Sequence, residues 1–156
     1  MIDLYTWPTP NGRKITIMLE ELDVPYKVYL VDIDNNEQFS DNFSQISPAN
    51  KIPAIIDNEN KQSIFESGAI ILYLAKKYKK FISQKYHWET MEWLMFQTTE
   101  YSIADISTWP WITHFERQRI TLNKYPNVLR WYSSIMKRPA VIKGYNAIGE
   151  KERIPF

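Results

Sequence analysis

The chain contains no cysteine in its 156 residues. That excludes a disulfide scaffold, cysteine-based zinc sites and any enzyme working with its own redox thiol. Glycine is scarce, at four residues, too few for a glycine-rich phosphate loop. The two histidines, His87 and His114, share no metal-ligand spacing, so both are assigned to surface or packing and no metal is expected. Neither sign of charge is in excess: 19 Lys+Arg against 18 Asp+Glu leave a formal net charge of +1. Such a chain has no basic field to gather nucleic acid or an anionic membrane, and neither is expected as a partner. No stretch approaches the roughly 20 apolar residues of a membrane span, and residues 1–5 lack the pattern of a secretory leader. The expected location is cytoplasmic.

What the chain does have is a globular composition, 44% hydrophobic and 24% charged, enough for one domain or a small domain with a helical annex. Aromatics are plentiful at 15%, which points to bulky interhelical contacts or an aromatic-lined site. Residues 2–5 are β-prone. The breakers Pro8, Pro10, Asn11 and Gly12 then precede an amphipathic helix with Ile15, Met18, Leu19 and Leu22 at helical spacing. Residues 26–33, rich in Tyr, Val and Leu, are expected to form a buried strand, parallel to the first with a right-handed crossover. A short helix near 38–43, a strand over 52–56, a turn at 57–60 and a returning strand over 62–65 follow. Ser67 and Gly68 open a helix with Ile70, Ile71, Leu74 and Tyr78 on its apolar face and lysines crowding its end.

Residues 1–80 thus read βαβ–ββα, an α/β thioredoxin-like domain with a four-stranded mixed sheet and helices on both faces. Residues 86–156 show no strand and are expected to form an all-α domain, beginning with a helix around Trp88. Ser102 and Asp105 stand close to a capping-box spacing, with Tyr101 and Ile106 placed as a hydrophobic staple. Pro110 is expected to kink that helix. Pro126 and Pro139 open two more. Trp109 and Trp111 are assigned to the core.

Three spots carry chemistry. Thr9 and Asn11 stand at the start of the first helix, where converging N–H groups stabilise an anion, a thiolate included; a plain helix cap explains the same residues. Ile52-Pro53 precedes a strand. A cis bond there would turn the Ile52 backbone toward an extended ligand, but only about 5–6% of X–Pro bonds are cis, so the residues alone favour trans. Glu66 and Ser67 form the third: the helix start cradles a carboxylate while Glu66 holds a cation, matching an amino-acid head group. A serine cap with an acidic neighbour is the plainer alternative.

Five segments occur in order: Tyr5-Thr6-Trp7-Pro8-Thr9-Pro10-Asn11-Gly12-Arg13-Lys14, Ile46-Ser47-Pro48-Ala49-Asn50-Lys51-Ile52-Pro53-Ala54-Ile55, Phe65-Glu66-Ser67-Gly68-Ala69-Ile70, Tyr101-Ser102-Ile103-Ala104-Asp105-Ile106 and Lys137-Arg138-Pro139-Ala140. Together they resemble the glutathione S-transferase family over nearly the whole chain, and within it the bacterial nu-class branch of glutathione-dependent disulfide-bond reductases. The resemblance implies glutathione as cosubstrate and a small electrophile or disulfide as second substrate. It places the glutathione sulfur at Thr9 and Asn11 and the glycyl end at Gln38. It sets the cysteinyl backbone on Ile52 before a cis Pro53, and the γ-glutamyl head on Glu66 and Ser67. A non-catalytic glutathione-binding or partner-interaction module of the same fold is the alternative it leaves.

The family pattern also has a long helical stretch between the motif resembling Trp93-Leu94-Met95-Phe96-Gln97 and the one resembling Tyr101-Ser102-Ile103-Ala104-Asp105. Here only Thr98-Thr99-Glu100 intervene. That stretch normally supplies much of the dimer interface, the second-substrate wall and an Arg completing the glutathione site, a role no residue here is assigned. A homodimer is implied only if the helical domain is complete. Either the chain carries an internal deletion, or its sequence joins across omitted residues. Intact mass spectrometry separates the two: the short chain gives 18.6 kDa, and a heavier species would restore the missing helices.

Overall fold

The computed structural model describes residues 1–82, 101–149 and 154–155. The expected helix around Trp88, His87 and the junction at residues 98–100 lie outside them. Strand β1 (Ile2–Thr6) leads into helix α1 (Pro10–Leu22), and β2 (Tyr26–Leu30) returns beside β1 in parallel. A short 3-10 turn, Glu37–Phe39, and helix α2 (Asp41–Ile46) take the place of the single helix expected near 38–43. The hairpin β3 (Ala54–Asp57) and β4 (Gln62–Phe65) follows, then helix α3 (Ser67–Tyr78). The sheet order is β2-β1-β3-β4, with β1 antiparallel to β3 and β3 antiparallel to β4. This is the mixed four-stranded thioredoxin-like sheet that the element order predicts.

The period-two alternation of β1 distributes its side chains to two layers. Ile2 and Leu4 are fully buried against α1 and α3, while Tyr5 faces the smaller cluster of Val31, Phe43 and Ala54 beneath α2. Helices therefore cover both faces. The reading of residues 26–33 as a buried strand is corrected. Pairing with β1 alone leaves β2 at the sheet edge, so it ends at Leu30 and is at most half-buried.

The helical part contains α4 (Ile103–Ile112), α5 (Pro126–Met136) and α6 (Pro139–Tyr145). Pro126 and Pro139 occupy first-turn positions, where a missing N–H costs nothing. Ser102 and Asp105 form a complete capping box: the Ala104 N–H donates to the Ser102 hydroxyl and the Ser102 N–H to the Asp105 carboxylate at 2.8 Å. Asp105 also accepts from the Trp131 indole at 2.6 Å, tying α4 to α5. The helix continues through Pro110 and ends at Ile112. Trp109 is fully buried, stacked on Tyr132, as expected of a core residue; Trp111 is not core, being 46% exposed.

Helix α1 joins the two parts. Gly144 of α6 crosses so close to it that a Cβ would meet Ile17 Cα at 2.6 Å, and the Thr16 hydroxyl donates to the Gly144 carbonyl at 2.6 Å. Glu21 receives a two-pronged bond from Arg138 at 2.7 and 2.8 Å and a third from the Tyr101 hydroxyl at 2.9 Å. Tyr101 lies under the Arg138 guanidinium at 3.7 Å, and burial together with the Glu21 carboxylate pushes its phenol up.

At the opposite end of the sheet from the start of α1, Asp57 is fully buried. Burial resists its ionisation, but Lys77, the Tyr73 hydroxyl and the Glu59 N–H outweigh this and hold its carboxyl below the ordinary value. A depressed folded-state pKa stabilises the fold above the unfolded value near 3.9, and that contribution vanishes as pH falls through the folded value. Asp57→Asn is expected to cost about 1–3 kcal/mol at pH 7. In thermal melts the gap from wild type should shrink at pH 3; a gap that persists there would show that charge plays no part.

Candidate functional site

Strand register collects the three sequence spots. Tyr5 near the end of β1 faces Ala54 at the start of β3, and Ala54 faces Phe65 at the end of β4. The chain leaving β1 reaches Thr9 and Asn11, the chain entering β3 passes Ile52 and Pro53, and the chain leaving β4 reaches Glu66 and Ser67. All three therefore open at one end of the sheet. So does the end of β2, since Thr6 faces Leu30, and from there the chain runs on to Gln38. Adjacent strands lie about 4.8 Å apart, so β1 to β4 spans about 10 Å. That is about the length of an extended tripeptide.

Helix α1 is capped. The Thr9 hydroxyl accepts from the Gly12 N–H at 3.1 Å, which leaves its own proton available as a donor. Pro10 has no N–H and Gly12 is satisfied, so the Asn11 N–H is the open donor of the first turn. A Cβ on Gly12 would strike Thr6 Oγ1 at 2.3 Å and the Trp7 carbonyl at 2.4 Å, so glycine lets this turn seat against the end of β1. The cap and the anion-binding readings of Thr9 are thus compatible: one uses its lone pair, the other its proton.

The Ile52-Pro53 bond is cis, contrary to what the residues alone favour and in line with the family resemblance. The preceding loop is braced by the Ser47 hydroxyl donating to the Lys51 carbonyl at 2.9 Å and by Asn50 in a left-handed conformation. Strand β3 begins at Ala54, not at residue 52. Among the described residues neither the N–H nor the C=O of Ile52 has a hydrogen-bond partner.

Helix α3 differs from α1 in being uncapped. Ser67 is its first helical residue rather than its cap, which removes the plain serine-cap reading. The cap position falls to Glu66, whose side chain makes no capping bond. The N–H groups of Ser67, Gly68 and Ala69 consequently have no intrahelical acceptor. Glu66 is exposed and held at φ 70°, ψ 119°, a region costly for a side-chain-bearing residue. Two helix N-termini thus bring partial positive charge to one edge, with one carboxylate beside them.

Gln38 lies half-buried in the 3-10 turn, its Oε1 buried without a partner. His114 is half-buried, and among the described residues no group of three or more His, Cys, Asp or Glu is placed to hold a metal. No described helix is long and apolar enough to cross a membrane. Helical spacing puts Lys14 away from the apolar face of α1, yet the residue is buried, because α4 covers that side of the helix.

Residues 4–81 match the model of the glutathione S-transferase N-terminal domain and residues 75–139 that of the C-terminal domain. The chain belongs to the glutathione S-transferase family. It is 36% identical to the disulfide-bond oxidoreductase YfcG of Escherichia coli, over 90% of this chain and 92% of the relative. That alignment runs to 198 positions, more than the 156 residues here, so YfcG carries residues without a counterpart in this chain. A glutathione transferase from Pseudomonas putida, solved with one glutathione disulfide per subunit, superimposes with a TM-score of 0.87 at 31% identity, covering 95% of this chain and 92% of that one. One from Burkholderia graminis, with two glutathione molecules per subunit, gives 0.84 at 31%, covering 94% and 88%.

The backbone at Glu66 gives a direct test of this edge. Glu66→Gly removes the strained conformation and is expected to raise stability by about 1 kcal/mol, read as a higher thermal midpoint. A lower midpoint would mean the carboxylate, not the backbone, dominates at this position.

Proposed function

We propose that the chain binds glutathione along the sheet end at Ile52-Pro53 and directs its thiolate at a disulfide. The observation that carries this reading is the Tyr5–Ala54–Phe65 register, which sets an anion-stabilising helix start, an unpaired peptide edge and an uncapped helix start about one tripeptide apart. The γ-glutamyl carboxylate lies on the N–H groups of Ser67 and Gly68, and its ammonium meets Glu66. The cysteinyl residue pairs with the Ile52 backbone as an added strand would. Gln38 meets the glycyl end, its side-chain amide N–H groups donating to the carboxylate.

The sulfur lies between the Thr9 proton and Asn11. Hydrogen bonds and the α1 dipole favour thiolate over thiol and raise the fraction able to attack. The chain has no cysteine, so glutathione brings the nucleophile. Disulfide reduction is preferred over transfer to an electrophile because YfcG is named as a disulfide-bond oxidoreductase. One observation favours a second reading, a glutathione-binding module without turnover: an alignment of 198 positions against 156 residues leaves YfcG with residues that this chain lacks.

Calorimetry with reduced and oxidised glutathione tests the binding; absence of heat from folded protein would end the proposal. Asn11→Ala is expected to lower turnover of 2-hydroxyethyl disulfide about 10–100-fold with less than a threefold change in glutathione Kd. Unchanged turnover would remove Asn11 from catalysis. Glutathione binding without turnover by the unaltered chain would favour the module.

A further inference from the structure

Lys14 is a charged residue that neither the fold nor the proposed glutathione contacts account for. It is 8% exposed, and among the described residues no carboxylate or other acceptor meets its ammonium. Its recorded contact is the ring of Trp111, 5.8 Å from the ammonium, and that ring is 46% exposed. Burial alone lowers its pKa, with no acid opposing the shift. An unpaired buried cation destabilises a fold and is retained where its charge is used.

Its position says where. Lys14 follows Asn11 by three residues on α1, so the two share a face with Cβ atoms about 5–6 Å apart. Helical side chains lean toward the N-terminus, so the Lys14 stem leaves its backbone in the direction of the turn bearing Asn11. In an in-line attack the incoming sulfur stands about 3–3.5 Å from the disulfide, whose own bond adds about 2 Å. The departing sulfur therefore lies about 5–5.5 Å from the attacking one. Lys14, one turn along α1 from Asn11, stands on the face where such a departing sulfur would lie.

We propose that the Lys14 ammonium receives the negative charge of the departing sulfur when glutathione opens a disulfide, with the exposed Trp111 ring as a floor for the substrate's apolar part. This rests on the glutathione reading above and adds the second substrate's half of the site. Glutathione thiolate forms a new S–S bond to the near sulfur of the substrate. The substrate S–S bond breaks, and its electron pair leaves on the far sulfur as thiolate beside Lys14. That thiolate takes a proton from water on release. A second glutathione thiolate attacks the mixed disulfide, giving glutathione disulfide and the second substrate thiol, so two glutathiones are oxidised for each disulfide reduced.

The test compares Lys14→Met, with Lys14→Gln as a second variant, on two uncharged disulfides. 2-Hydroxyethyl disulfide releases a weakly acidic thiol, and bis(2,2,2-trifluoroethyl) disulfide a much more acidic one. A cation serving the leaving group is needed most where that group is basic. The expected loss in kcat/KM is about 100-fold on the first and under tenfold on the second. Glutathione Kd should stay within threefold, and the thermal midpoint should be equal or higher, since an unpaired buried charge is gone. Equal losses on both disulfides, no loss, or a lowered midpoint in both variants would overturn the role. Unaltered protein that turns over neither disulfide would remove the disulfide-reductase reading itself, and this inference with it.

Discussion

The antiparallel pairing of β1 with β3 is the constraint on which the site depends. Because β3 runs against β1 and β4 against β3, the end of one strand, the start of the next and the end of the third share one edge. Reversing either pairing would send Ser67 or Pro53 to the far end of the sheet. The pairing itself is held by burial. Ile2, Leu4 and Ile55 are fully covered by α1 and α3, and a one-residue slip would turn them toward α2.

Helix α1 meets three demands at once. Its start faces the edge of the candidate site, its middle admits α6 through the missing side chain at Gly144, and its end fixes Arg138 and Tyr101 through Glu21. The Lys137-Arg138-Pro139-Ala140 segment thus has a structural use: its arginine ties the helical part to the helix that presents Asn11. The contrast between the helix starts also has chemical content. At α1 a hydroxyl caps the helix and keeps its own proton to give, whereas α3 leaves its donors uncapped beside a carboxylate. The first arrangement suits a compact anion such as sulfur, the second a zwitterion.

Much of this was readable in the chain. Breakers, helical spacing and cap residues located α1, α3, α5 and α6, and the strand–helix–strand order indicated a parallel pair. The limits of β2 and β3 were not readable, because an edge position and a peptide-bond isomer leave no trace in hydrophobic pattern. Ser67 looked like a cap in sequence; only the backbone shows that Glu66 takes that place. Trp109 and Trp111 look alike two residues apart, yet one lies in the core and the other at the surface.

Local spacing and composition dictate the kinds of element, the lack of an internal thiol and the identity of the polar groups. The tertiary structure decided which of those groups meet, because strand direction and register are set by long-range burial. It also decided that Lys14 is buried with no acid partner among the described residues, a condition created only when α4 packs on α1.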